Sequence, residues 1–192
     1  LATAGFPPAS INTVMCSHLH FDHVGWNTKK VNGKWVPTFP QARYLFGKKE
    51  YEHWQHLRDT GGYHDVQHLL DSIDPIVEAK LHELISTDYR ITDEVWLEPT
   101  PGHTPGHVSV HIRSKGEEAV ITGDMMHHPI QLADPQMHGN FDMDKELGAK
   151  TRRAFVERYA DKRILIIGTH FCDPTSGWIV RDGTAWKFVT KK

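Results

Sequence analysis

The chain has 192 residues, of which 39% are hydrophobic and 24% are charged, a composition typical of one globular domain. The formal net charge is −2, which argues against an electrostatic partner such as nucleic acid or an anionic membrane. No apolar run approaches the ~20 residues of a membrane-spanning helix, so we expect a cytoplasmic protein. Fifteen histidines are the compositional outlier.

Short strands and one helical segment are predicted in the first half of the chain. Asn32-Gly33 between two strand-like runs is typical of a hairpin turn. From residue 48 to about residue 84 the pattern is helical, with interruptions at Gly61-Gly62 and Pro75, and we expect this insertion to lie near the mouth of the active site. Strands are predicted at Thr13–Cys16, at Val31 and Lys34–Val36 around the turn, and at Ala42–Phe46.

Strands dominate the second half, with one helix among them. The helix is predicted near residues 144–161, with Leu147, Ala154, Phe155 and Tyr159 on one face. Strands followed by a helical insertion, more strands, a helix and a last set of strands predict an α/β sandwich. The strand-like runs are Val95–Leu97, His107–Arg113, Glu118–Thr122, Ile164–Ile167, Trp178–Val180 and Trp186–Val189.

Three imidazoles and one carboxylate occur within the six residues from His18 to His23. Residues two apart on an extended segment point the same way, so His18 and His20 can reach one metal ion together. Asp22 and His23 follow where the chain turns and can serve a second ion. Imidazole and carboxylate ligands suit zinc or another first-row metal.

Three further metal-capable side chains follow apolar runs, each just after a glycine. His103 follows Val95–Leu97, Asp124 follows Ala119–Ile121, and His170 follows Ile164–Ile167. Because α/β folds build their sites at strand ends, we expect these loops to contribute to the same centre.

With these motifs the chain resembles the metallo-β-lactamase superfamily, from about residue 11 onward. The resemblance implies an αββα sandwich in a single domain over residues 1–192. It also implies two divalent ions, with zinc expected and manganese, iron or cobalt as alternatives. Asp124 would bridge the ions, and His107 would support the site without binding metal. The implied ligands are His18, His20 and His103 for one ion, and Asp22, His23 and His170 for the other.

The same resemblance implies a hydrolase that acts on a small-molecule ester, lactone or phosphotriester through a hydroxide held between the metals. Asp22 would orient this nucleophile, and His127 or His128 would orient the substrate or donate a proton to the leaving group. The predicted catalytic residues are therefore Asp22, Asp124 and His127. Aromatic candidates for the substrate pocket are Phe21, Trp26 and Trp54.

Two departures from the family pattern affect these expectations. Family members usually carry several strands before the first histidine cluster, so the fold is expected to be N-terminally truncated. An open sheet edge would then favour a homodimer. Homoserine-lactone-cleaving members tend to have a tyrosine three residues past the bridging carboxylate, where this chain has His127. This difference favours esters or phosphotriesters over lactones.

Other functions remain open at this point. A mononuclear iron sulfur dioxygenase and a β-lactamase share the fold, and a catalytically weak metal-binding or interaction protein is the alternative of another class. Cys16 and Cys172 are expected to be reduced and structural, because cysteine commonly behaves as a small buried hydrophobe.

Overall fold

The computed structural model describes residues 1–63 and 65–190. The contacts within it divide the chain into two units, Leu1–Ser86 and Thr87–Lys192. Among the described residues, no helix combines the length and the apolar character that a membrane span requires.

Among its described residues, the first unit contains a parallel sheet, a separate hairpin and four α-helices. The parallel sheet has the strand order β1-β4-β5, and the hairpin joins β2 to β3 through Asn32 and Gly33, both with positive φ. The predicted hairpin is therefore confirmed. The elements are β1 (Thr13–Met15), α1 (Phe21–Val24), β2 (Thr28–Val31), β3 (Lys34–Pro37), β4 (Arg43–Gly47), α2 (Lys48–Thr60), α3 (Gln67–Ser72), α4 (Asp74–Glu78) and β5 (His82–Ile85).

The core of the first unit forms around the central strand β4. Tyr44, Leu45 and Phe46 on this strand are fully buried, as expected for a parallel strand with a neighbour on each side. Trp54 from α2 is buried in the same cluster. The edge strand β1 leads directly into the histidine-rich run, so sheet pairing anchors the residues that precede it.

The predicted helical segment over residues 48–84 is partly wrong. Helices occupy it only as far as Glu78, and His82–Ile85 forms β5, which pairs in parallel with β4. Hydrogen bonding to β4 decides the structure of His82–Ile85 against the helical sequence pattern, because four residues are too few for a stable helix but enough for an edge strand. Gly61 ends α2 with a left-handed conformation, as the sequence predicts. Residue 64 of this segment lies outside the described residues.

In the part of the second unit that the structure describes there are a six-stranded sheet and two α-helices. Its strand order is β11-β10-β9-β8-β7-β6. The elements are β6 (Val95–Pro99), β7 (Val108–Ser114), β8 (Glu117–Ile121), α5 (Ile130–Ala133), α6 (Lys145–Tyr159), β9 (Ile164–Ile167), β10 (Ser176–Asp182) and β11 (Ala185–Val189).

Strand direction in this sheet brings three loops to one edge. β7 is antiparallel to both β6 and β8, and β8 is parallel to β9. The carboxyl ends of β6, β8 and β9 therefore point the same way. The loops after these strands carry His103, Asp124 and His170, as predicted from the apolar runs.

Helix α6 forms as predicted, but the face assigned to it is partly wrong. Asp144 caps its first turn by accepting a hydrogen bond from the Leu147 amide at 2.9 Å. Leu147 and Ala154 are exposed, whereas Phe155 and Tyr159 are buried. The buried face is rotated from the predicted one, and it includes a charged residue that the prediction left out. It comprises Gly148, Ala149, Arg152, Phe155, Val156 and Tyr159.

Candidate metal centre

In the first unit, the histidine-rich run folds so that its imidazoles lie close together. His18 Nε2 is 3.0 Å from His20 Nδ1, and the ring centroids of His18 and His23 are 4.2 Å apart. His18 is fully buried. Asp22 Oδ2 lies 3.4 Å from His23 Nε2 at the start of α1. Within this unit His18 therefore lies against His20 and His23, and Asp22 lies against His23. Their assignment as ligands of two ions stays a prediction.

A buried glutamate supports this run, and the sequence prediction did not include it. Glu50 in α2 is buried, and its Oε1 accepts hydrogen bonds from the Leu19 amide at 3.1 Å and from Trp54 Nε1 at 2.8 Å. Leu19 lies between His18 and His20, so Glu50 fixes the backbone that carries both imidazoles. The four-residue spacing of Glu50 and Trp54 on one helix face was the available signal.

In the second unit, three imidazole nitrogens surround one carboxylate oxygen. Oδ2 of the buried Asp124 lies 3.0 Å from His170 Nε2, 3.2 Å from His127 Nε2 and 3.6 Å from His103 Nε2. Donor atoms of His103, Asp124 and His127 all lie within 4.8 Å of one another. The loops after β6, β8 and β9 therefore meet at Asp124.

His107 holds Asp124 in place through the backbone. The Asp124 amide donates to His107 Nε2 at 2.8 Å, so the proton of a neutral His107 ring is on Nδ1. That nitrogen lies 3.0 Å from the Thr100 carbonyl oxygen, to which it donates. A ring that is fully buried and hydrogen-bonded on both sides positions its neighbour rather than binding metal, which agrees with the supporting role expected for His107.

A buried ion pair lies behind His103. Asp142 Oδ1 is 3.4 Å from His103 Nδ1, and Asp142 Oδ2 accepts from Arg152 Nη1 at 2.9 Å. Burial alone would raise the pKa of Asp142, but its hydrogen bonds to His103 and Arg152 and the Arg152 charge lower that pKa below its ordinary value. Asp142 and Arg152 were not identified from the sequence.

His127 and His128 have different surroundings. The His127 ring contacts Asp124 and stacks on His170 with centroids 5.2 Å apart. The exposed His128 accepts a hydrogen bond from the Ile130 amide through Nδ1. Gln131 Oε1 accepts from the amides of both histidines, so this turn is fixed and only His127 is aimed at Asp124.

A cavity of about 590 Å³ opens beside His127 in the second unit. Its wall combines apolar and polar side chains, and the polar ones are His127, His128, Gln131, Asp134, Gln136 and His138. Such a mixture is typical of small-molecule sites. The apolar lining residues are Ile130, Met137 and Phe141.

The aromatic residues predicted for a pocket are divided between two places. Phe21 and the buried Trp54 line a cavity of about 430 Å³ in the first unit. Trp26 is 72% exposed and lines a different, smaller cavity.

Both cysteines are free. Cys16 is buried, which raises the pKa of its thiol to about 11, whereas Cys172 is exposed and does not fit the buried role expected of it.

The donor set of each unit fits a divalent metal ion. Imidazole nitrogen and carboxylate oxygen are the ligands that zinc commonly takes. Three imidazole nitrogens around a single buried carboxylate oxygen suit a cation better than a hydrogen-bond network, because one oxygen atom cannot accept well-aligned bonds from all three.

Comparisons with known proteins identify the family of the chain. A model of the metallo-beta-lactamase superfamily matches residues 1–170. An N-acyl homoserine lactonase of Bacillus sp is 30% identical over 153 residues, which are 79% of this chain and 53% of that protein. An N-acyl homoserine lactonase of Bacillus thuringiensis is 27% identical over 88% of this chain and 59% of its own length. The chain thus spans about half the length of the curated relatives it matches.

Solved structures confirm the predicted fold. The hydrolase AbOPH of the beta lactamase superfamily matches with a TM-score of 0.85 and 23% identity, over 100% of this chain and 68% of that one. AidC, a dizinc quorum-quenching lactonase solved with a product, matches with a TM-score of 0.81 and 23% identity over the same shares. With the family match over residues 1–170, these findings establish that the chain belongs to the metallo-β-lactamase superfamily.

Proposed function

We propose that this chain carries the catalytic centre of a metal-dependent hydrolase that cleaves an ester, lactone or phosphotriester bond of a small molecule. The observation that carries the proposal is the convergence of three imidazole nitrogens on Asp124 Oδ2 at the carboxyl ends of β6, β8 and β9. A buried carboxylate surrounded in this way is arranged for cation binding.

We assign two divalent ions, with zinc first, to the ligands that the family pattern implies. Asp124 would be the ligand shared by both ions. Two such ions supply water activation near neutral pH and polarisation of the scissile carbonyl or phosphoryl group. The assigned ligands are His18, His20 and His103 for one ion, and Asp22, His23 and His170 for the other.

The side chains around these ligands have separate tasks in this proposal. Asp22 is part-exposed beside His23, so its carboxylate can accept a hydrogen bond from the attacking water and set its direction. His127 is held at Asp124 and lines the cavity beside it. Its imidazole can therefore donate a proton to the leaving oxygen.

The substrate class follows from the relatives and from the cavity beside His127. The curated relatives are named N-acyl homoserine lactonases, so lactones belong among the first substrates to test. Ile130, Met137 and Phe141 give the cavity an apolar wall, which favours substrates with an apolar substituent. The replacement of tyrosine by His127 still predicts that aryl esters or phosphotriesters are cleaved at least as well as lactones.

The test is hydrolysis of an aryl ester, an N-acyl homoserine lactone and an aryl phosphotriester by the purified chain supplied with zinc or manganese. We expect turnover of at least one substrate, its loss with a chelator and its return with metal. Asp124→Asn should lower bound metal and turnover together. Asp93→Asn, at a fully exposed loop carboxylate of the same unit, is the matched control and should change neither.

Three outcomes would contradict the proposal. Sulfite formation from a persulfide without ester cleavage would indicate the iron sulfur dioxygenase. Hydrolysis of a β-lactam alone would indicate a β-lactamase. Tight metal binding with no turnover of any of these substrates would indicate a metal-binding protein without this chemistry.

A further inference from the structure

Arg152 is a fully buried arginine in the middle of α6. A buried guanidinium is costly unless its charge is paired with an anion. Nη1 donates to Asp142 Oδ2 at 2.9 Å and lies 3.3 Å from the Met125 carbonyl oxygen, and Nε donates to the Pro135 carbonyl oxygen at 3.0 Å. One side chain therefore holds the segment that follows Asp124 at both Met125 and Pro135.

Asp142 connects this arginine to a predicted metal ligand. Its side chain is 1% exposed, and its two oxygens face different partners. Oδ2 accepts from Arg152, and Oδ1 faces His103 Nδ1 at 3.4 Å. The other ring nitrogen, His103 Nε2, faces Asp124. The carboxylate and the predicted metal position thus lie on opposite sides of the same ring.

The backbone keeps the loop of His103 against the start of α6. The Met143 amide donates to the His103 carbonyl oxygen at 3.1 Å, and the Asp144 amide donates to the Gly102 carbonyl oxygen at 2.9 Å. A Cβ on Gly148 would lie 3.1 Å from Asp142 Oδ2, so the absence of a side chain there leaves room for the ion pair. The distance between Asp142 and His103 is therefore set by the fold and not by a flexible side chain.

We propose that Asp142 and Arg152 are a positioning pair for His103. Asp142 accepts a hydrogen bond from Nδ1–H, so that the lone pair of Nε2 is aimed at the metal, and Arg152 holds the Asp142 carboxylate in place. Carboxylates that orient metal-binding histidines typically change metal affinity by about 10–100-fold when they are removed. The metal part of this inference rests on the proposed function, whereas the tautomer of His103 does not.

A second carboxylate of the same unit that is hydrogen-bonded to a histidine provides the control. Glu98 is partly buried, accepts hydrogen bonds from His111 Nε2 and the Tyr159 hydroxyl, both at 2.6 Å, and pairs with Arg158. It contacts a histidine, as Asp142 does, but that histidine is no predicted ligand. Glu98→Gln therefore reports what loss of a histidine-bound carboxylate does to the unit in general.

The first experiment measures the His103 tautomer in the metal-free chain by long-range proton–nitrogen NMR, at about two pH units above the ordinary histidine pKa. We expect the Nδ1–H form in the parent and in Glu98→Gln. Asp142→Ala should shift His103 toward the Nε2–H form, because it removes the carboxylate that faces Nδ1. An Nε2–H tautomer in the parent would overturn the proposal without any variant.

The second experiment measures zinc affinity by competition with a chelator, together with the absorption spectrum of the cobalt-loaded chain. Asp142→Asn and Arg152→Met should bind zinc about 10–100-fold more weakly and show an altered cobalt spectrum. Arg152→Lys should recover part of the affinity, since it keeps the charge. Glu98→Gln should leave both readouts at parent values.

The outcomes separate this inference from the proposed function. Parent-like zinc affinity and cobalt spectrum in Asp142→Asn would refute the positioning role, even if the chain is an active hydrolase. Equal losses in Asp142→Asn and Glu98→Gln would refute it as well, because the effect would then be general destabilisation. A chain that shows the Nδ1–H tautomer and normal metal binding but hydrolyses nothing would refute the proposed function alone.

Discussion

A single methyl group added at Gly102 should strongly destabilise the second unit. Its φ is 134°, and a Cβ there would lie 2.3 Å from Gly148 Cα and 2.4 Å from Gly148 N. Ordinary contact between such atoms is about 3.5–4.0 Å, so Gly102→Ala forces the loop of His103 away from α6. The strained φ costs about 1–3 kcal/mol, and overpacking against rigid backbone costs about another 1–3 kcal/mol.

Gly116→Ala isolates the steric part of this cost. Gly116 also has a positive φ, 83°, but a Cβ there would meet nothing within 4 Å. Its substitution therefore carries only the conformational cost, about 1–2 kcal/mol. Urea unfolding followed by circular dichroism should show a larger loss for Gly102→Ala than for Gly116→Ala, and zinc affinity should fall only in the former. Equal losses of stability in the two variants would refute the close-approach argument.

Three further outcomes are expected. The pKa of Glu98 is lowered, because its hydrogen bonds with His111 and Tyr159 and the Arg158 charge outweigh the rise that burial alone would cause. The stability that ionised Glu98 gives the folded chain is therefore complete above the ordinary glutamate pKa and is lost as pH falls through the lowered value. Glu98→Gln should reduce the slope of unfolding free energy against pH on the acid side. An unchanged slope would contradict this. Zinc at about a hundred times its dissociation constant should stabilise the chain by about 2.7 kcal/mol for each ion bound, measured by calorimetry, and no shift in unfolding temperature would count against native-state binding. Because β1 and β5 each have one strand neighbour among the described residues, light scattering should show a dimer, and a monomer throughout the micromolar range would refute the edge-pairing argument.

Local signals in the sequence were sufficient for several elements of the fold. Ile164–Ile167 is a strand with the predicted bounds, and Asn32-Gly33 forms the predicted turn. Both depend on short-range preferences that tertiary structure does not override. The strand His82–Ile85 was missed because its identity depends on pairing with β4, a partner almost forty residues away along the chain.

The candidate site shows the same division between local and long-range information. His103, Asp124 and His170 could be predicted because each follows a strand-like run and a glycine, and strand direction then brings them to one edge. Glu50 and Asp142 could not be predicted in this way. Each acts by a contact across the fold, Glu50 with Leu19 and Asp142 with His103, and nothing in the adjacent sequence marks that partner.

Arg152 is a long-range feature with a visible local signal. It lies in phase with the small and apolar residues that α6 buries, at the helical spacing of three or four from its neighbours on that face. An arginine at such a position either disrupts the packing or is paired with a buried anion. The second case requires a carboxylate within reach, and Asp142 lies ten residues earlier, before the capped first turn of α6. A charged residue within an apolar helical stripe therefore predicts a buried ion pair, and a histidine beside that pair is then the first candidate for an oriented ligand.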